Sequence, residues 1–167
     1  MSQRYKLPPE GGTTNGLYRR IEMAVTVKSI KLWRKEVNNR PGELARTLAP
    51  LVNAGSDFQV LMGYRFPGNE NKAAIELYPV SGKKATAAAE AGGLSAAEIP
   101  CLLVEGDNKP GVAQSIAKAI ADAGINMSFV VAQAVGRRYS GVFGFENEGD
   151  TRKAAAVIKK AASGRKK

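Results

Sequence analysis

The feature that most constrains this chain is an internal repeat. Asn39-Arg40-Pro41-Gly42 returns 69 residues later as Asn108-Lys109-Pro110-Gly111. The same offset pairs Ala54-Gly55 with Ala123-Gly124, Leu51 with Ile120, Asp57 with Asn126, Phe58 with Met127 and Leu61 with Val130. A single-residue gap then brings the later segments into line. Ordered matches at one spacing are the mark of a supersecondary unit used twice, so the fold can be read from one unit and checked on the other.

Each unit opens with an extended segment of β-branched and bulky apolar residues, 29–37 in the first and 99–105 in the second. A Pro-Gly turn then starts a helix. Leu44, Leu48, Leu51 and Val52 recur at helical spacing and predict one apolar face. In the second unit that face is Val112, Ile116 and Ile120, thickened by Ala113, Ala117 and Ala123. Gly55 and Gly124 stand where a helix C-terminus calls for positive φ. Two strands follow, 58–66 and 72–80 around Pro67-Gly68-Asn69, then 125–135 and 139–147 around Gly136-Arg137-Arg138. Alanine-rich helices at 83–91 and 150–162 close the units. Pro50 falls inside the first helix and predicts a distorted last turn.

The order β-α-β-β-α, twice over, predicts an α+β fold of two ferredoxin-like βαββαβ modules with antiparallel sheets. Only Gly92-Gly93-Leu94-Ser95-Ala96 joins the units. A final strand for the first unit must therefore be very short, and the two sheets are expected to share strands in one body. The boundaries that follow are a loose arm at 1–22, a module at 23–96, a second at 97–162 and a basic tail at 163–167. Met23 is a natural start for the first strand.

The composition narrows the function. There is no histidine among the 167 residues, which removes the commonest general base and metal ligand. Cys101 is the only cysteine and lies in the apolar run Ile99-Pro100-Cys101-Leu102-Leu103-Val104, so it reads as buried packing. Neither a Walker A loop nor a GxGxxG fingerprint occurs. The expectation is no metal, no cofactor and no catalysis. No segment reads as a membrane span or a secretory signal, which makes the cytoplasm the expected compartment. The net charge of +10 suggests nucleic acid until it is located. Residues 1–34 hold seven basic and two acidic side chains, and residues 152–167 hold seven basic and none acidic. The body between them carries a net −2, which argues against a basic binding face on the fold.

The pattern Asn-basic-Pro-Gly, amphipathic helix, Ala-Gly, Asp/Asn and apolar strand resembles the ACT domain. Residues 108–129 are similar to the regulatory domain of 3-phosphoglycerate dehydrogenase, and the span 25–160 resembles stand-alone bacterial proteins made of two ACT domains. The resemblance implies a non-catalytic regulatory protein that binds a free amino acid or similar small metabolite, forms a homodimer and signals to a regulated enzyme. It also implies the site. A helix N-terminus offers unpaired N–H groups to an α-carboxylate, and a nearby amide or carboxylate accepts from the ammonium. In the first unit the groups would be Asn39, Pro41, Gly42 and Glu43 with Asp57. In the second they would be Asn108, Pro110, Gly111 and Val112 with Asn126, and amides at both polar positions rank this site higher. The dehydrogenase pattern has histidine two residues before the loop asparagine, where this chain has Val37 and Gly106. The alternative function is an RNA-binding module using the sheet and the basic ends, because 138–145 loosely resembles an RNP1 octamer.

Overall fold

The computed structural model describes residues 25–162; the expected arm (1–22) and tail (163–167) lie outside them. The elements in chain order are β1 (Val25–Ile30), β2 (Trp33–Asn38), α1 (Glu43–Asn53), β3 (Val60–Phe66), β4 (Asn69–Tyr78), α2 (Lys83–Ala91), β5 (Ser95–Ala96), β6 (Cys101–Asp107), α3 (Val112–Asp122), β7 (Met127–Val135), β8 (Arg138–Phe145) and α4 (Glu148–Ala162). They form two four-stranded antiparallel sheets, ordered β3-β4-β2-β5 and β1-β6-β8-β7. This is the α+β architecture of two ferredoxin-like modules that the repeat predicts.

One expected segment is corrected. Residues 29–37 are not a single strand: the chain breaks at Lys31-Leu32, and β1 and β2 belong to different sheets. β1 pairs with β6 along its full length, Val25 opposite Gly106 and Ile30 opposite Cys101. The strand that completes the second module's sheet thus precedes the first module in the chain. The first module is completed by the two-residue β5, which pairs only with Trp33 and Arg34.

Alternation along the strands sets the layers. Leu102 and Val104 of β6 turn to α3 and α4, where they meet Ile116, Ile120, Ala154 and Ile158. Cys101 and Leu103, on the other face of the same strand, meet Val60 and Met62 of the first module, with Ile30, Leu32 and Val142. The first sheet's helix side is closed by Val37, Ile75, Leu77, Leu51 and Ala89. The order through the molecule is therefore helices, sheet, sheet, helices. β6 is buried on both faces, which accounts for its unbroken apolar run. Cys101 is buried there, and desolvation pushes its thiol pKa up to about 12.

The helices carry two further differences. α1 runs through Pro50 to Asn53, the same eleven residues as α3, so Pro50 does not shorten it. Both helices are followed by glycines of positive φ, Gly55 at 88° and Gly124 at 69°, as the sequence predicts. The buried face of α1, however, is Thr47 and Leu51, while Leu44 and Val52 are exposed. Thr47 stands where the second unit has Ile116, and its Oγ1 has no hydrogen-bond partner among the described residues. A buried, unsatisfied hydroxyl is destabilising, so Thr47→Val is expected to raise stability by about 1 kcal/mol. A urea midpoint that falls in this variant would mean that the hydroxyl is bonded in solution.

Candidate functional site

The two Pro-Gly loops sit at the same end of their modules, each between the end of a first strand and the start of a first helix. Gly42 and Gly111 both take φ of 87°, a left-handed conformation that disfavours a side chain. They are needed for the backbone path itself. Neither helix has a side-chain cap. The first-turn N–H groups that a cap would satisfy remain available to an anion.

The surroundings of the loops differ. At α1, Asn39 donates its side-chain N–H to the Glu70 carbonyl at 2.9 Å, and its backbone N–H to Asn71. Arg46 folds back over the turn, giving Nη2 to Glu43 Oε1 at 2.9 Å and to the Pro41 carbonyl at 3.4 Å. Its guanidinium lies 3.1 Å from where a Cβ on Gly42 would stand. The loop's polar groups are thus largely used within the chain, and the adjoining cavity is ≈ 250 Å³.

At α3 the place of Arg46 is taken by Ser115, and nothing stands within 4 Å of the corresponding point on Gly111. The cavity there is ≈ 560 Å³, bounded by Asn108, Pro110, Gly111 and Val112 on the loop side and by Ala132, Ala134 and Tyr139 on the sheet side. Tyr139 is only 4% exposed, and its hydroxyl has no hydrogen-bond partner among the described residues. It rests against the bare backbone of Gly141, 2.9 Å from the position of an added Cβ. Burial alone raises its pKa, so the hydroxyl is neutral at physiological pH and can both donate and accept. Sequence reasoning missed Tyr139. Its signal was the alternation Tyr139, Gly141, Phe143, in which glycine leaves space beside a tyrosine.

Asn126 and Asp57 do not join these loops within one chain. Asn126 precedes β7, whose first residue pairs with Phe145, whereas the Gly111 loop adjoins Asp107 and Arg138 at the far end of β8. The eleven residues of α3 separate the two ends by about 16 Å. Asp57 stands likewise at the Tyr78 end of β4, away from Asn39, which bonds at Asn71.

The RNA-recognition alternative meets a geometric obstacle. Tyr139, Phe143 and Phe145 are buried against the helices, on the face opposite to the one such modules offer to RNA. The other face of β8, at Val142, is covered by the first sheet. Among the described residues no group of three His, Cys, Asp or Glu side chains is placed to hold a metal, and no helix is long and apolar enough to cross a membrane.

No known family model matches the chain, and no curated protein matches it in sequence. Solved structures do match in fold. Protein BT0572 from Bacteroides thetaiotaomicron aligns with a TM-score of 0.65 at 15% identity, over 83% of this chain and 96% of that one. The ligand-free regulatory subunit of aspartate kinase from Thermus thermophilus aligns with a TM-score of 0.58 at 17% identity, over 86% and 99%. Aspartokinase III of E. coli, in complex with aspartate and ADP, aligns with a TM-score of 0.53 at 10% identity, over 83% of this chain but 33% of that one. The chain shares with these structures the fold of two ferredoxin-like modules.

Proposed function

We propose that this chain is a non-catalytic cytoplasmic sensor that binds a free amino acid at the start of α3 and passes the signal to a partner enzyme. The observation that carries this reading is the cavity at the uncapped start of α3, with Tyr139 in its wall and the Tyr139 hydroxyl buried beside Gly141 without a hydrogen-bond partner among the described residues. An orphaned hydroxyl of this kind is costly in a finished protein interior, and a ligand's polar group relieves it. The α-carboxylate would take the first-turn N–H groups of α3, where the helix dipole favours a negative charge. The first unit's loop, covered by its own Arg46, is the weaker site.

The ammonium needs an acceptor, and a homodimer supplies one. β7 is an edge strand of nine residues without charge or proline, with Val131 52% and Val135 69% exposed. Such an edge is a template for pairing with a second strand. Antiparallel pairing of two copies centred on Val131 would set Asn126 of one copy opposite Gly136 of the other. Gly136 adjoins Arg137, whose carbonyl accepts the Asn108 N–H at 2.7 Å. Asn126 then serves the Gly111 loop of the second copy.

A thermal-shift screen of the twenty amino acids against the wild-type chain and Tyr139→Phe tests the reading. The expected result is one amino acid, or a small related set, that stabilises the wild type according to RT ln(1 + [L]/Kd). Tyr139→Phe should weaken that ligand by about 1 kcal/mol or more while keeping the fold, since no intramolecular bond is lost. A screen in which no amino acid stabilises the wild type would overturn the proposal. So would equal affinity in the variant.

A further inference from the structure

A separate cavity of ≈ 530 Å³ opens where β2 and β5 meet the connector between the modules. It is lined by Arg34, Lys35, Glu36, Glu76, Ser95 and Glu98, among others. Glu76 is the notable member. It sits in the middle of the first sheet, on the face turned away from the helices, and its side chain is only 3% exposed. Arg34 Nη1 donates to Glu76 Oε1 at 3.1 Å and the Tyr64 hydroxyl donates to the same oxygen at 2.9 Å. Oε2 accepts no hydrogen bond from a described residue. The cation that pairs with Glu76 is also divided, because Arg34 Nη2 binds Glu36 Oε1 at 3.1 Å. The charged lining of three carboxylates against Arg34 and Lys35 leaves one negative charge over.

Glu76 is thus a nearly buried carboxylate with one oxygen held by the protein and the other open to a cavity of net negative charge, a place for a cationic donor. We propose that this cavity is a second ligand site, taking a small organic molecule with a primary ammonium that donates to Glu76 Oε2 and is balanced by Glu98. An ammonium brings three donors and one positive charge, which are what the cavity lacks. A divalent ion does not fit, since these carboxylates form no group close enough to hold a metal. The volume is in the usual range for small-molecule pockets. The site is also placed to report on the joint between modules. Ala97 of the cavity wall donates its N–H to the Leu32 carbonyl at 2.8 Å, and Ala97 and Ile99 pack into the core between the two sheets. This proposal stands apart from the site at α3 and uses none of its residues.

The test is an amide NMR titration of the full chain with n-butylammonium, with n-butanol and n-butyrate as controls of equal length. The amine is expected to shift the amides of residues 95–99 saturably, and the controls to leave them in place. Glu76→Gln should weaken the amine about tenfold or more, the usual loss for a charge-assisted hydrogen bond. Glu98→Gln guards against a folding artefact, because Glu98 is exposed and makes no ion pair with a described residue; it should weaken the amine severalfold. Tyr139→Phe should change nothing here, which separates failure of this site from failure of the site at α3. Unmoved amides would overturn the proposal, as would equal shifts with butyrate or unchanged affinity in both glutamine variants.

Discussion

Phe145→Ala is expected to destabilise the chain by about 3–5 kcal/mol, the usual range for emptying a buried phenylalanine site. Phe145 ends β8, is fully buried and shares a core cluster with Leu102, Ile158 and Ala162, so its ring helps to join the sheet to the closing helix. Its N–H donates to the Pro100 carbonyl at 3.0 Å, which ties the same residue to the start of β6. The backbone bond survives the substitution, and the loss is one of packing and cavity formation. With total stability of domains on the order of 5–15 kcal/mol, this change removes a large share. Val52→Ala, at the exposed end of α1, is the control and should stay within about 0.5 kcal/mol of wild type. Urea unfolding of the two variants decides the matter. Equal midpoints would mean that the aromatics of β8 do not face the helices, and the RNA alternative would regain its face.

That outcome turns on which face of β8 is inward, and the sequence alone left the question open. Tyr139, Phe143 and Phe145 share one face by alternation, but a period of two does not say whether that face meets helices or solvent. The order of elements was more legible. Turn glycines, the Pro-Gly helix starts and the alanine-rich closing helices mark themselves locally, and the chain length between Gly93 and Ile99 forces β5 to be short. The passage from β1 to β2 was not legible. Both are extended and β-branched, and the break at Lys31-Leu32 has neither glycine nor proline. Leu32 is buried in the core between the sheets, so tertiary packing alone fixes the crossing. The face of α1 was misread for a related reason. Leu44 and Val52 fit the helical period, but the sheet of the first module covers the side on which Thr47 stands. Of the site, the loops were visible from the repeat. The gulf between Gly111 and Asn126 was not, because a motif in sequence does not say whether its parts meet within one chain or across two.

The second large effect concerns that gulf. Val131→Lys is expected to turn a dimer into a monomer. Val131 lies at the middle of β7 on an edge with no hydrogen-bonded neighbour among the described strands. A two-fold pairing centred there brings each substitution opposite its own copy, so two lysines face one another where two valines had packed. Like charges directly opposite are destabilising in a ladder, and a lysine on an edge strand is a common natural block to pairing. The fold itself should tolerate the change, because Val131 is half exposed on an edge strand and its ladder bonds to β8 are made by the backbone. Light scattering at micromolar concentration should give about twice the 17.7 kDa chain mass for the wild type and the single mass for the variant. The amino-acid response should fall with the dimer. The Gly111 loop and Tyr139 remain intact in the monomer, but Asn126 of a second copy is no longer beside them. A variant that is monomeric and still binds the amino acid as tightly as wild type would show that the ammonium is held within one chain. A wild type that is itself a monomer at these concentrations would remove the pairing through β7 altogether, and the site at α3 would then have to be completed by groups of its own module.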